Sequence, residues 1–265
     1  MQKFLKSPKG AVVIFLVILT LVGASYAGGV SGIKNGLLAI ITGILFDYLV
    51  MYLMNRPWHF PDGALITGII VGGILSPATP WFYVMMTTII ALLSKHLLKD
   101  KRRPLLNPAA VGLFISAILF STGESWWIGL SMIPSWCAII MILFGMFIAS
   151  RINKLPLVFA FLATYMIFFL IAGILNSAGA GDVLRTPYIN AALFLSFFML
   201  TDPPTSPAKY REQILFGCIV SMVSCAAFLL VSRLTYLFIG LFISNLLKLA
   251  ASKMNRAPIH GAARR

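Results

Sequence analysis

The sequence predicts an all-α polytopic membrane protein, ten transmembrane helices arranged as two inverted five-helix repeats, on three observations. Of the 265 residues, 60% are hydrophobic and 11% charged, with a mean hydropathy of +0.95, outside the range of soluble domains. Apolar windows succeed one another along the whole chain with short connections, which leaves no room for a soluble domain. The third and eighth windows, "ALITGIIVGGILSPATPW" and "ALFLSFFMLTDPPTSPAKY", both begin Ala-Leu, both are short, and both finish in a Ser/Thr/Pro cluster.

Apolar runs of about 17 to 25 residues are taken as spans, with some shorter ones allowed. They fall at about 11–27, 35–54, 63–77, 82–98 and 107–121, then 126–148, 155–176, 187–201, 213–232 and 235–251. The first, with its basic start and Ser25-Tyr26-Ala27, also has the features of a cleavable secretory signal; its length and the symmetry of the later segments favour a retained helix. The second carries Asp47, the one acid well inside a predicted span. It is either a group for ion or proton movement or one half of a pair with Arg56 or Lys95.

"HFPDGALITG" opens the third segment on His59, with Asp62 and Gly63 followed by Thr67 and Gly68, and Gly72 and Gly73 lie further on. Small residues there admit a neighbouring helix or a flat ring close to the backbone. "LLNPAAVG" opens the fifth, with Asn107 as N-cap and Pro108 at the first helical position; taken alone, this describes a well-capped, tightly packed membrane helix. "FMLTDPPTSPAKYREQ" closes the eighth. Pro203 and Pro204 cannot continue a helix, Thr201, Thr205 and Ser206 offer hydroxyls for the freed backbone groups, and Asp202 adds a charge. This stretch alone is either a proline-rich turn with a capping acid or one wall of a site. Short, interrupted helices at matching places in two halves point to the second alternative, because their ends must be satisfied by ligand, water or protein and not by lipid.

Lys and Arg fix the expected orientation. With a cytoplasmic N-terminus, 18 of them fall inside: Lys3, Lys6, Lys9, Arg56, Lys95, Lys99, Lys101, Arg102, Arg103, Arg151, Lys154, Lys209, Arg211, Lys248, Lys253, Arg256, Arg264 and Arg265. Three, Lys34, Arg185 and Arg233, fall outside, a bias that places both termini in the cytoplasm. The net charge of +14 is thus a topogenic signal and a source of anionic-lipid contacts, not a nucleic-acid surface. Trp58, Trp81, Trp126 and Trp127 are expected at the interfaces. Five helices per half, 1–122 and 123–265, force the second half to enter the membrane inverted. Cys137, Cys218 and Cys225 are scattered within helices, and His59, His96 and His260 lie in flanks, so no iron–sulfur or haem ligand set is expected.

"PDGALITG", "NPAAVG" and "TDPPTSP", in this order, resemble the membrane-subunit family that contains RnfD, of Rnf electron-transport complexes, and NqrB, of the sodium-pumping NADH:quinone reductase. The resemblance implies a urea-channel-like fold and a flavin-carrying, multi-pass subunit of the bacterial plasma membrane. It also implies companion subunits that couple a reductant, a quinone or ferredoxin, and ion movement. In the family a Ser-Gly-Ala-Thr-like motif in the outer loop after the asparagine-proline helix carries FMN on its threonine. Here that loop is "STGES", Ser121 to Ser125, with Thr122 as its only threonine. A non-covalent flavin, FMN or riboflavin, is therefore expected, with Asp62, Gly63, Thr67, Gly68, Asn107, Thr201, Asp202, Thr205 and Ser206 as candidate contacts. The alternative, from the same inverted half-helix architecture, is a channel or transporter for a small solute.

Overall fold

The computed structural model describes residues 7–100, 103–130, 136–177, 179–231 and 234–254. Lys3, Lys6, Lys101, Arg102, Arg233, Arg256, His260, Arg264 and Arg265 lie outside the described residues, as do the side chains of Cys137 and Lys253.

The first helix, α1 (Pro8–Gly23), starts where the Ser7 hydroxyl accepts the Gly10 N–H at 3.1 Å and Pro8 occupies the first turn. No loop separates it from α2 (Gly29–Leu53), although the glycine-rich stretch between them suggests one. A π-helical turn, Ala24–Gly28, joins the two, because in lipid a helix is the local way to satisfy the backbone. As a straight rod the 46-residue stretch would measure about 70 Å, more than twice the hydrocarbon thickness of about 30 Å. Instead it reverses at Gly29, whose φ of 56° and ψ of −165° suit glycine alone. Both ends of the stretch consequently meet the start of α3 (Asp62–Ile74). Lys9 of α1 bonds Asp62 at 2.7 Å, and Lys95, which bonds Asp47 of α2, lies 3.5 Å from the Cβ position of Gly63.

The remaining helices are α4 (Trp81–Leu97), α5 (Pro108–Leu119), α6 (Trp136–Arg151), α7 (Leu155–Ile174), α8 (Tyr188–Phe194), which continues through a π turn at Leu195–Met199, α9 (Tyr210–Val231) and α10 (Tyr236–Met254). Between α4 and α5 two short strands, β1 (Lys99–Asp100) and β2 (Arg103–Pro104), pair antiparallel. Among the described residues three helical stretches, Pro8–Leu53, Leu155–Ile174 and Tyr210–Leu230, are long and apolar enough to cross a membrane, and shorter apolar helices accompany them. The protein is a membrane protein by the exposed faces of these helices as well. On α2, Leu37, Ile41, Leu45, Leu49 and Tyr52 form an apolar stripe that is more than half exposed, while Asn35, Gly36, Ala39, Thr42, Gly43 and Asp47 are buried behind it. A polar interior behind an apolar exterior suits lipid as the solvent.

The short helices α3 and α8 stop inside the protein, and α5 starts there, at the buried Asn107. α3 lies so close to α2 that a Cβ on Gly72 would sit 2.5 Å from the Gly36 Cα, and one on Gly68 would sit 2.8 Å from the Ile40 Cα. The glycines of the third segment therefore admit a helix, by small-residue packing. α1 is part of the core: Phe15 stacks on Phe144 of α6 at 4.7 Å and on Phe198 at 5.4 Å.

The sixth segment differs most from expectation. Residues 126–130 are not its first turn but a tight buried turn, Trp127–Gly129, flanked by Trp126 and Leu130 with φ of 50° and 61°. Trp126 and Trp127 are 0% and 1% exposed, so they are core residues; Trp58 and Trp81 are exposed, as interfacial residues would be.

Candidate functional site

The broken end of α3 is closed by the chain itself. The N–H groups of Ser125 and Trp126 both donate to the Ile74 carbonyl, at 2.9 and 3.1 Å, and the Ser76 N–H donates to the Gly123 carbonyl at 2.9 Å. Asn35 of α2 donates to the carbonyls of Pro77 and Thr79 at 3.2 and 3.0 Å. The "STGES" loop is thus folded against the helix end, and Thr122 shares a 2.8 Å hydrogen bond with Ser116. Glu124 sits in this turn with one carboxyl oxygen accepting the Trp126 indole N–H at 3.3 Å and the other, Oε1, buried without a partner. Burial pushes its carboxyl up to about 8, because no cation among the described residues offsets the loss of water.

The end of α8 is closed by "TDPPTSP" folding on itself. Thr201 donates to the Phe197 carbonyl at 2.6 Å, Ser206 to the Asp202 carbonyl at 2.8 Å, and Thr205 to the Asp202 carboxylate at 3.2 Å. Asn107 ties its own motif to the turn that precedes "TDPPTSP". Its Oδ1 caps α5 by accepting the Ala110 N–H at 3.1 Å, and its Nδ2 donates to the Met199 carbonyl at 3.3 Å. The N-cap role foreseen from sequence is one half of its function; the other ties the start of α5 to the last turn of α8.

Charge gathers at this end. Burial raises the Asp202 carboxyl to about 6, against the pull of the Thr205 hydroxyl and the ammonium groups of Lys9, Lys154 and Lys248. Lys9 also holds Asp62, whose other oxygen accepts the Gly63 N–H at 2.8 Å, so the two acids at the ends of α3 and α8 face a common cluster of lysines. Lys154, buried at the start of α7, donates to the Pro207 carbonyl, and burial lowers its ammonium despite Asp202. Lys248 of α10 donates to the Thr205 carbonyl at 2.6 Å. Thr67 is buried on α3.

Sequence reasoning missed Lys154, Lys248, Glu124 and Asn245 as site residues. The signal for two of them was visible: Asn245 and Lys248 stand three apart in a largely apolar helix, and polar groups at that depth need partners.

Asp47 forms a separate pair beside the start of α3. It is held by Lys95 at 3.0 Å and His96 at 2.8 Å, which is the pairing alternative of the sequence reading with His96 added. The side chain of Asp47 is 3% exposed and that of Lys95 27%. Asp47→Asn should therefore cost about 2 kcal/mol of stability, below the range for a fully buried pair because Lys95 reaches solvent. Adding Lys95→Met should recover much of that loss. Equal melting of the single and double variants would show the pair to be uncoupled.

A flat cofactor needs buried polar groups that the protein does not itself satisfy. Asn245 supplies one such group: it is 3% exposed, and neither its Oδ1 nor its Nδ2 has a partner. That unpartnered amide can pair with a ligand that carries both a hydrogen-bond donor and an acceptor.

A family model described as the NQR2, RnfD, RnfE family matches residues 3–129 and 125–232. The chain is 29% identical over 124 residues to a Yersinia enterocolitica protein named as a subunit of an ion-translocating oxidoreductase complex, covering 44% of this chain and 35% of that one. A protein of the same name from Aeromonas hydrophila is 31% identical over 104 residues, 38% of this chain and 30% of that one. The matching stretch spans about a third of the length of these relatives.

Proposed function

The chain belongs to the NQR2, RnfD, RnfE family, and from that premise we propose that it is a membrane subunit of a flavin-dependent, ion-translocating electron-transport system. It binds FMN or riboflavin non-covalently at the lysine-rich end, between the start of α3 and the stop of α8, and works with companion subunits and a quinone in the bacterial plasma membrane. The observation that carries this reading is the meeting of three separate motifs: Asn107 bonded to the last turn of α8, and Lys9 bridging toward both Asp62 and Asp202.

A flavin supplies one- and two-electron transfer when bound. The chain's own contribution is binding and electrostatics. Asn107 fixes the distance between α5 and α8, the helices around them exclude water, and the lysines place positive charge where a reduced, anionic ligand would be favoured. Ten spans in two inverted five-helix halves, with a boundary at 122/123, accord with α4 packing on α5 and α9 packing on α10. The boundary lies close to the junction of the two matched stretches. In this arrangement the lysine-rich end and both termini are cytoplasmic.

Protein purified in detergent should absorb in the blue region typical of oxidised flavin, and acid or denaturant should release the chromophore, since no Ser-x-Ala-Thr motif anchors it. Fluorescence retained by the denatured chain would redirect attention to Thr122. A folded, colourless preparation that takes up no added flavin would overturn this reading in favour of a small-solute channel or transporter of the same architecture.

Orientation has its own check. Reporter fusions after Arg56, Arg103, Lys154 and Arg211 should report cytoplasm, and those at Ser31, Glu124 and Asp182 should report the outside. A cytoplasmic signal at Asp182 would sink the inverted repeat.

A further inference from the structure

We propose that Asn245 recognises the ring of the bound ligand, pairing its amide with an adjacent N–H donor and C=O acceptor, the imide edge that a flavin presents. This rests on the flavin reading above and assigns a residue to it.

Five amide side chains are buried among the described residues: Asn35, Asn107, Asn190, Gln213 and Asn245. The first four each donate to a backbone carbonyl: Asn35 to Pro77 and Thr79, Asn107 to Met199, Asn190 to Leu130, and Gln213 to Asn153 and Ala208. Asn245 differs in that both its polar atoms are buried and unpartnered. An amide in this state is costly, and a helix in lipid could carry an apolar residue at the same place at no such cost. A ligand that brings both a donor and an acceptor removes the penalty.

Position supports the assignment. Phe238, Leu241, Asn245 and Lys248 follow one face of α10 by helical spacing, and Phe238 and Leu241 are fully buried, so the face points inward. Phe238 stacks on Trp126 at 5.3 Å, closing the site away from the lysine-rich end. Lys248, about one turn beyond Asn245, reaches the Thr205 carbonyl of "TDPPTSP". Phe242 meets Phe114 of α5 at 5.1 Å. Three residues from Phe242 along α10 and three from Phe114 back along α5, Asn245 and Val111 therefore stand at a similar depth, just inside the Asn107 cap. Asn245 is placed one layer below the lysine cluster, where a ring held between α5, α8 and α10 would present its edge.

The test is a fluorescence titration of the full chain in detergent with riboflavin and with 3-methylriboflavin, whose imide N–H is blocked. The wild-type protein should bind riboflavin about tenfold more tightly than the methylated form, as the loss of one well-made hydrogen bond gives. Asn245→Leu should weaken riboflavin about tenfold or more, weaken 3-methylriboflavin distinctly less, and so abolish the discrimination. Its ligand-free melting temperature should equal or exceed that of the wild type, because an unpaired buried amide has been removed. Should the leucine fit poorly, Asn245→Ala serves, since the ratio of the two affinities does not depend on how much protein is folded. Riboflavin binding that is independent of Asn245, or equal weakening of both flavins, would overturn the assignment while leaving the flavin site standing. A wild-type chain that is folded yet binds neither riboflavin nor FMN would remove the site itself and this residue's role with it.

Discussion

Trp127→Ala should lower the stability of the protein by about 3–5 kcal/mol, the range for truncating a large buried aromatic. The indole is 1% exposed and fills a notch made by glycines of the first helical hairpin: a Cβ at Gly28 would lie 2.6 Å from the ring, and one at Gly32 would lie 3.2 Å from it. Its N–H also donates to the Gly72 carbonyl at 3.1 Å, in the last turn of α3, so alanine leaves both a void and a buried acceptor without its partner. Trp127→Phe should be milder, since it keeps most of the packing and loses the hydrogen bond, at about 1 kcal/mol. Gly28→Val should resemble the alanine variant, from the opposite side of the same contact. Thermal unfolding in detergent measures all three. A Trp127→Ala protein that melts with the wild type would return this residue to the membrane interface, where the amino-acid pattern places it.

Glu124→Gln should make the protein's stability less dependent on pH, with the largest effect on the alkaline side. Burial raises the folded-state carboxyl from an ordinary value of 4.5 to about 8, so between those values the folded chain holds a proton that the unfolded chain has released. Stability therefore falls as pH rises through this window and is lowest above about 8. Glutamine has the shape of the protonated acid and does not ionise, so above that pH the variant should be the more stable, by on the order of 3–5 kcal/mol. Asp202, pushed up to about 6, completes its titration earlier, which leaves the interval between about pH 7 and 9 to report on Glu124. Melting curves of the two proteins that run parallel across this interval would show that the carboxyl is already ionised or solvated in the fold.

Local chemistry determines much of the helix map. α4, α5, α7 and α10 lie at 81–97, 108–119, 155–174 and 236–254, within a few residues of the apolar windows, because hydropathy and the Asn107-Pro108 cap are written in neighbouring residues. Where local and environmental preferences disagree, the windows fail. "AGGVSGIKNG" has the composition of a loop, yet α2 starts at Gly29, since lipid penalises an open backbone more than glycine penalises a helix.

The sequence by itself determined the solvent, the places where helices stop and the identity of the motifs that end them: Pro203 and Pro204 break α8 whatever surrounds them. Only the tertiary structure decided what fills each broken end. That Ile74 is capped by residues 125 and 126, Met199 by an asparagine 92 positions earlier, and the glycines of α1 and α2 by Trp127 depends on which surfaces approach within about 3 Å. The same holds for the side chains left unpaired. An asparagine reads alike in sequence whether its amide is bonded, as in Asn107, or unbonded, as in Asn245, because hydrogen-bond satisfaction belongs to the pair of groups and not to either residue.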